Sequence, residues 1–100
     1  MGTTRGTTPV HIITTDVDLS DAVVVYVTYK QKRNVILEKT KDDMEVSAEG
    51  LRIHLTQAET LKFKSEDVRI QIRARFEDGS AIASNIMVAT IDEILKEGEI

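Results

Sequence analysis

His11 and His54 are the only histidines in this 100-residue chain, and it has no cysteine, so acid–base and thiolate chemistry have few places to start. Both histidines fall in strand-like segments with no acid close by in the sequence. His54 shares its parity with Arg52, opposite to Leu51, Ile53 and Leu55, which reads as an exposed strand histidine. No serine sits in a Gly-x-Ser-x-Gly elbow, and the few glycines form no phosphate-cradling loop. Asp16, Asp18 and Asp21 are spaced like part of a calcium loop, since hard cations want clustered carboxylate oxygens. The loop glycine and the closing glutamate of an EF-hand are missing and Leu19-Ser20 interrupts the acidic run, so a solvated turn is expected. Asp42-Asp43 reads as a turn between strands. No catalytic residue, cofactor site or metal site is expected.

A third charged group, Arg69, Arg73 and Arg75, forms one column of a strand. Without interleaved aromatics it lacks the stacking platform that single-stranded nucleic acid uses. The formal charge of -4 also disfavours a general nucleic-acid binder, whose phosphate contacts need a basic surface. Pairing with Glu38 and other carboxylates across a wet sheet face is expected for these arginines.

The element that carries the column is the clearest in the chain. Val68, Ile70, Ile72, Ala74 and Phe76 alternate with Arg69, Gln71, Arg73, Arg75 and Glu77, the period-two pattern of a half-buried strand. Glu77-Asp78-Gly79 supplies a three-residue turn with Gly79 left-handed, which sets Phe76 opposite Ser80. Continued without interruption, that register places Ile82, Ile86 and Val88 opposite Ala74, Ile70 and Val68, and turns Ala81, Ala83, Asn85, Met87, Ala89 and Ile91 outward. A one-residue slip would invert every one of these side chains.

Elsewhere, Val10–Thr14 reads as an edge strand and Thr15–Asp21 as a loop. Ala22–Lys30, rich in valine and tyrosine, is a strong strand. Gln31–Asn34 connects it to a strand at Val35–Lys39, with a weaker strand at Glu45–Ser47 and another at Leu51–Leu55. Thr56-Gln57-Ala58-Glu59 matches a capping box, so a helical turn starts at Gln57 and drops Leu61 and Phe63 onto the core. About seven short strands with one helical turn indicate an all-β, immunoglobulin-like antiparallel sandwich. Its expected core is Val25, Val27, Tyr29, Val35, Leu37, Leu51, Ile53, Leu55, Val68, Ile70, Ile72, Phe76, Ile82, Ile86 and Val88. Residues 1–8, rich in glycine and threonine, are expected as a flexible arm, residues 9–91 as the sandwich, and residues 92–100 as a tail that forms a helical turn or pairs with something else. No window is apolar for long enough to cross a bilayer and the start has no signal-peptide core, so a soluble chain without membrane attachment is expected.

The segments Asp18–Ala22, Val25–Gln31, Leu37–Asp43, Leu55–Phe63, Val68–Ile86 and Ile94–Gly98 together resemble a group of small proteins encoded in phages and prophages of Gram-positive bacteria. The resemblance covers nearly everything after the first eight residues. The chain is more distantly similar to the immunoglobulin-like N-terminal domain of phage baseplate upper proteins. What the resemblance implies is a structural or accessory virion component of the tail or baseplate, found in the virion or in the host cytoplasm during assembly, with no catalytic residues to carry over. A host-surface carbohydrate module is the alternative, since fold alone does not decide role. Sugar platforms present exposed aromatics, and here Tyr29, Phe63 and Phe76 are expected inside, leaving only Tyr26. A protein partner is therefore favoured. Its expected docking face is the apolar outward row of the last strand beside the arginine column, with Ile36 from the neighbouring strand. Ile36, Arg73, Asn85 and Met87 are the candidate residues, for self-association or attachment to a larger phage tail protein.

Overall fold

The computed structural model describes residues 2–100. Nine strands are formed: β1 Gly2–Thr4, β2 Val10–Thr14, β3 Val24–Gln31, β4 Asn34–Thr40, β5 Met44–Ser47, β6 Gly50–His54, β7 Val68–Arg75, β8 Ala81–Ala83 and β9 Met87–Asp92. One sheet has the order β1-β9-β7-β3-β4, with β8 also on β7, and the other has the order β2-β6-β5. Every pairing is antiparallel except β1 with β9. If β8 and β9 are taken as two halves of one interrupted strand, the seven expected strands are all present and β1 is an eighth. The strand order is that of an immunoglobulin-like sandwich.

Alternation builds the core as the pattern requires. Val25, Val27 and Tyr29 from β3, Ile70, Ile72 and Ala74 from β7, and Leu51 and Ile53 from β6 are all buried between the sheets. Leu55 and Phe63 close one end of this layer and Leu19 joins it from the β2–β3 loop. The capping box forms: the Glu59 amide donates to Thr56 Oγ1 at 3.2 Å, and the Thr56 amide donates to Glu59 Oε1 at 2.9 Å. That satisfies two orphan amides and starts the single turn α1, Gln57–Thr60. The same Glu59 carboxylate pairs with the nearly buried Lys39 of β4, tying the turn to the sheet. Burial raises the Glu59 pKa, but the hydrogen bonds from Lys39 and the Thr56 amide outweigh it, so the group stays below its ordinary range.

Two bulges change the facing read from alternation alone. In the β7–β8–β9 hairpin the three-residue turn forms as expected, with the Phe76 amide donating to the Ser80 carbonyl and Gly79 at φ 89°. Ala74 then lies opposite Ile82, but Ile70 lies opposite Met87 and Val68 opposite Ala89. One extra residue has entered between β8 and β9. Ser84 holds the break: its amide donates to the Ile72 carbonyl, while its hydroxyl accepts from the Ile72 amide and donates to the Asn85 carbonyl. Beyond it the parity is inverted. Ala89 and Ile91 are buried and Met87 packs against the core, whereas Ile86 and Val88, expected inside, are each 54% exposed. Ile82 remains partly open at 37%.

The second bulge lies in β4, where Tyr29 faces Leu37 but Lys30 faces Val35, leaving Ile36 as the extra residue. Ile36 packs against the core and Val35 is 56% exposed, the reverse of the expectation.

The ends are also more structured than their composition implies. Met1 of the expected arm lies outside the described residues, but Gly2–Thr4 form β1 and pair with Thr90–Asp92. Arg5 then donates to the Phe63 and Leu61 carbonyls and pairs with Glu97. After β9 the tail forms no helical turn. Ile100 is held instead by Gln57, which accepts from its amide at 2.8 Å and donates to its carbonyl at 3.2 Å. Ile94 is half-buried, close to Gly6 and Leu61, and Leu95 is exposed.

Candidate functional site

The one histidine-centred constellation lies inside the sandwich. β2 brings His11 from one sheet between two hydroxyls of the other, with Thr3 Oγ1 2.7 Å from Nε2 and the Tyr29 hydroxyl 2.8 Å from Nδ1. A neutral imidazole donates from one nitrogen and accepts at the other, so a neutral ring satisfies both contacts and a protonated ring would have to donate to both hydroxyls. His11 is 3% exposed, and Thr3 and Tyr29 are equally enclosed, so a substrate reaches none of them without parting the sheets. The group works as a polar pin across the core. Its partners were not legible because Val10, His11, Ile12 and Ile13 are apolar or amphipathic at both parities.

Burial pushes the His11 pKa down and the Tyr29 hydroxyl up. The unfolded chain therefore takes up a proton on His11 at a pH where the folded chain does not. Its contribution to stability is fully present above pH ~6.5 and is lost as pH falls toward the lowered folded value, by at most about 1.4 kcal/mol per pH unit. Denaturant melts from pH 7 to 5 should show this loss in the wild type and a flatter dependence in His11→Gln. Equal slopes would remove the role assigned to the ring.

The other chemistry-bearing residues are dispersed on the surface. The exposed His54 lies 2.8 Å from Glu45, which holds that carboxylate below its usual range. Asp18 accepts from both the hydroxyl and the amide of Ser20, and Asp78 does the same with Ser80, which keeps both carboxyls low. Asp43 accepts from the amide and hydroxyl of Thr40. These carboxylates serve turns, and no metal-binding cluster occurs among the described residues.

The outer face of the larger sheet has a different character. Lys30, Arg69, Arg73 and Arg75 line it with Tyr26, Thr28 and Gln71, and Glu38 and Asp92 are carboxylates on it, Glu38 lying 3.4 Å from the Thr28 hydroxyl. The expected pairing of the arginines with carboxylates does not form: among the described residues Arg69 donates to the Lys32 carbonyl, and Arg73 and Arg75 make no ion pair. A chain of net charge -4 thus presents a basic sheet face. Beside the column, Ala81 and Ala83 lie opposite Arg75 and Arg73, and Val88 lies opposite Arg69. Ile86 borders a shallow hollow of about 160 Å³ with Thr28, Lys30, Arg69 and Gln71.

The four residues expected to share a docking face are divided between two. Arg73 is outward and Asn85 is exposed at the bulge, but Met87 and Ile36 turn toward the core. The apolar strip beside the arginines survives with other members, Ile86 and Val88 replacing Met87, while Val35 replaces Ile36 on β4, which is not the expected neighbour of β7 because β3 lies between them. On the opposite side of β8 the sandwich opens into a groove of about 490 Å³ between Ile13–Val17 and Ile82–Asn85, floored by Leu19, Ile72 and Met87. Among the described residues no helix is long and apolar enough to cross a membrane. No protein-family model, curated protein or solved structure matches the chain.

Proposed function

We propose that this chain is a non-catalytic structural or accessory module acting through protein–protein contacts, in the tail or baseplate of a phage or prophage particle. The observation that carries the contact role is the outer face of the larger sheet, where exposed Ile86 and Val88 lie beside arginines that have no carboxylate partner among the described residues, and exposed Val35 lies on the far side of β3 from them. Arginine and apolar side chains are favoured in interface cores, whereas lysine and glutamate are depleted. The face suits a partner with acidic and apolar side chains, and the segments resembling small phage proteins supply the virion setting. A glycan platform is less well supported, because Tyr26 is the one well-exposed ring, at 42%.

Val88→Asp tests the face. The side chain is outward, so stability should change by no more than about 0.5 kcal/mol, while incorporation into particles assembled with the neighbouring tail proteins should fall. Equal incorporation of wild type and Val88→Asp, or absence of the wild type from purified particles, would overturn the proposal.

A further inference from the structure

Sheet edges are where a sandwich is open to another strand, and most edges here are guarded. β4 carries Glu38, Lys39 and the Ile36 bulge. β5 carries Glu45, β2 follows directly after Pro9, and β1 is three residues long and runs into Arg5. β8 is as short as β1 and ends at the Ser84 bulge, but it carries neither a charge nor a proline. It lies in the stretch Ser80–Ile91, which contains no charged residue, and Ala81, Ile82 and Ala83 are all exposed. β1 shields only Thr90–Asp92 of the same edge.

The backbone of β8 is aimed for pairing. Ser80 and Ser84 are hydrogen-bonded to β7 through Phe76 and Ile72. In an antiparallel ladder the bonded positions alternate, so Ile82 also faces β7, and the amides and carbonyls of Ala81 and Ala83 face the open side. An extended strand can replace the solvent along such a row.

We propose that β8 pairs with β8 of a second copy of this chain, antiparallel about a two-fold axis at Ile82. This rests on the contact role above and adds a second contact to it, at the sheet edge and with a copy of the same chain. Ala81 of one copy then faces Ala83 of the other, making four backbone hydrogen bonds, and the two Ile82 side chains meet at a non-hydrogen-bonded site with Cα atoms about 4.5 Å apart. The charge pattern selects a second copy. Every position of β8 is uncharged, so self-pairing sets no like charges opposite one another, whereas the strands at the β4 and β5 edges would bring Glu38, Lys39 or Glu45. The arginine columns on the two β7 strands end up three strand spacings apart, about 14 Å, beyond the ~8 Å screening length at physiological salt. The Ser84 bulge ends the edge and limits the joint to a short one, so a concentration-dependent dimer is expected.

Sedimentation or light scattering over a concentration series reads the mass. Ala83→Pro deletes an outward amide at an edge position that tolerates proline, and with two such bonds lost per dimer the dissociation constant should rise about 10- to 100-fold. The chain has no cysteine of its own, so Ile82→Cys supplies a single thiol whose spacing across the axis suits a disulfide. Mild oxidation should link it as a dimer faster than Val35→Cys on the far edge. If Ala83→Pro fails to fold, the comparison of the two cysteine variants decides. A wild type that stays monomeric throughout, or a dimer in which Ile82→Cys links no faster than Val35→Cys, overturns the inference. A monomer that still enters particles would do so while leaving the proposed function intact.

Discussion

Ile70→Ala should lower stability by about 2–5 kcal/mol, while Arg73→Ala, three residues further along the same strand, should change it by no more than about 0.5 kcal/mol. Ile70 is fully buried, with Tyr29 opposite it on one neighbouring strand and Met87 on the other. Truncating it removes apolar burial and leaves a cavity in a layer whose strands cannot readily collapse. Arg73 points outward between Tyr26 and Ala83 and has no ion pair to lose. Urea melts of the two variants under one condition give the comparison directly. Equal losses would mean that the inside and outside of β7 have been exchanged.

A single methyl group should be nearly as disruptive at Gly50. A Cβ built there would lie 2.1 Å from the Ile13 carbonyl oxygen on the adjacent strand β2, well inside any real contact. The obstacle is backbone, so relief requires moving one strand of the smaller sheet away from the other and breaking the Thr14–Gly50 register. Gly50→Ala should therefore cost about 3 kcal/mol or more, at or above the upper end for overpacked interiors. Gly79→Ala is the control. Nothing lies within 4 Å of a Cβ at that position, and its φ of 89° leaves only left-handed strain of about 1 kcal/mol. Comparable midpoints for the two variants would show that the close approach of β2 and β6 is not rigid.

What was legible in the sequence, and what was not, follows from how strongly parity is marked. In β7 polar and apolar residues alternate without exception, so its facing, the turn at Glu77-Asp78-Gly79 and the position opposite Ala74 could all be read. In Ile86-Met87-Val88-Ala89 and in Val35-Ile36-Leu37 the residues are apolar at both parities, and either facing satisfies the pattern. A single hydroxyl, that of Ser84, then decides where the extra residue enters, and no periodicity reports a side chain that stands in for a backbone group. The docking residues named from the sequence do not share one face for this reason: Ile36 and Asn85 lie at bulges and Met87 just past one. The strip itself was legible, since a stretch without charge stays apolar whichever of its residues turn outward.

The parallel joint between β1 and β9 bears on the order in which the molecule assembles. It connects residues 2–4 with residues 90–92, so closing it early would confine nearly the whole chain at an entropic cost of about 4 kcal/mol. The three residue pairs of that joint cannot repay this until β3, β4 and β7 have already drawn the ends together. β1 is therefore the last strand to dock and the first to fray, and the β9 edge stays bare through most of folding. During synthesis and refolding the chain offers a longer open edge than the native molecule does, and that interval is when crowding by its own copies carries the greatest risk of misassembly.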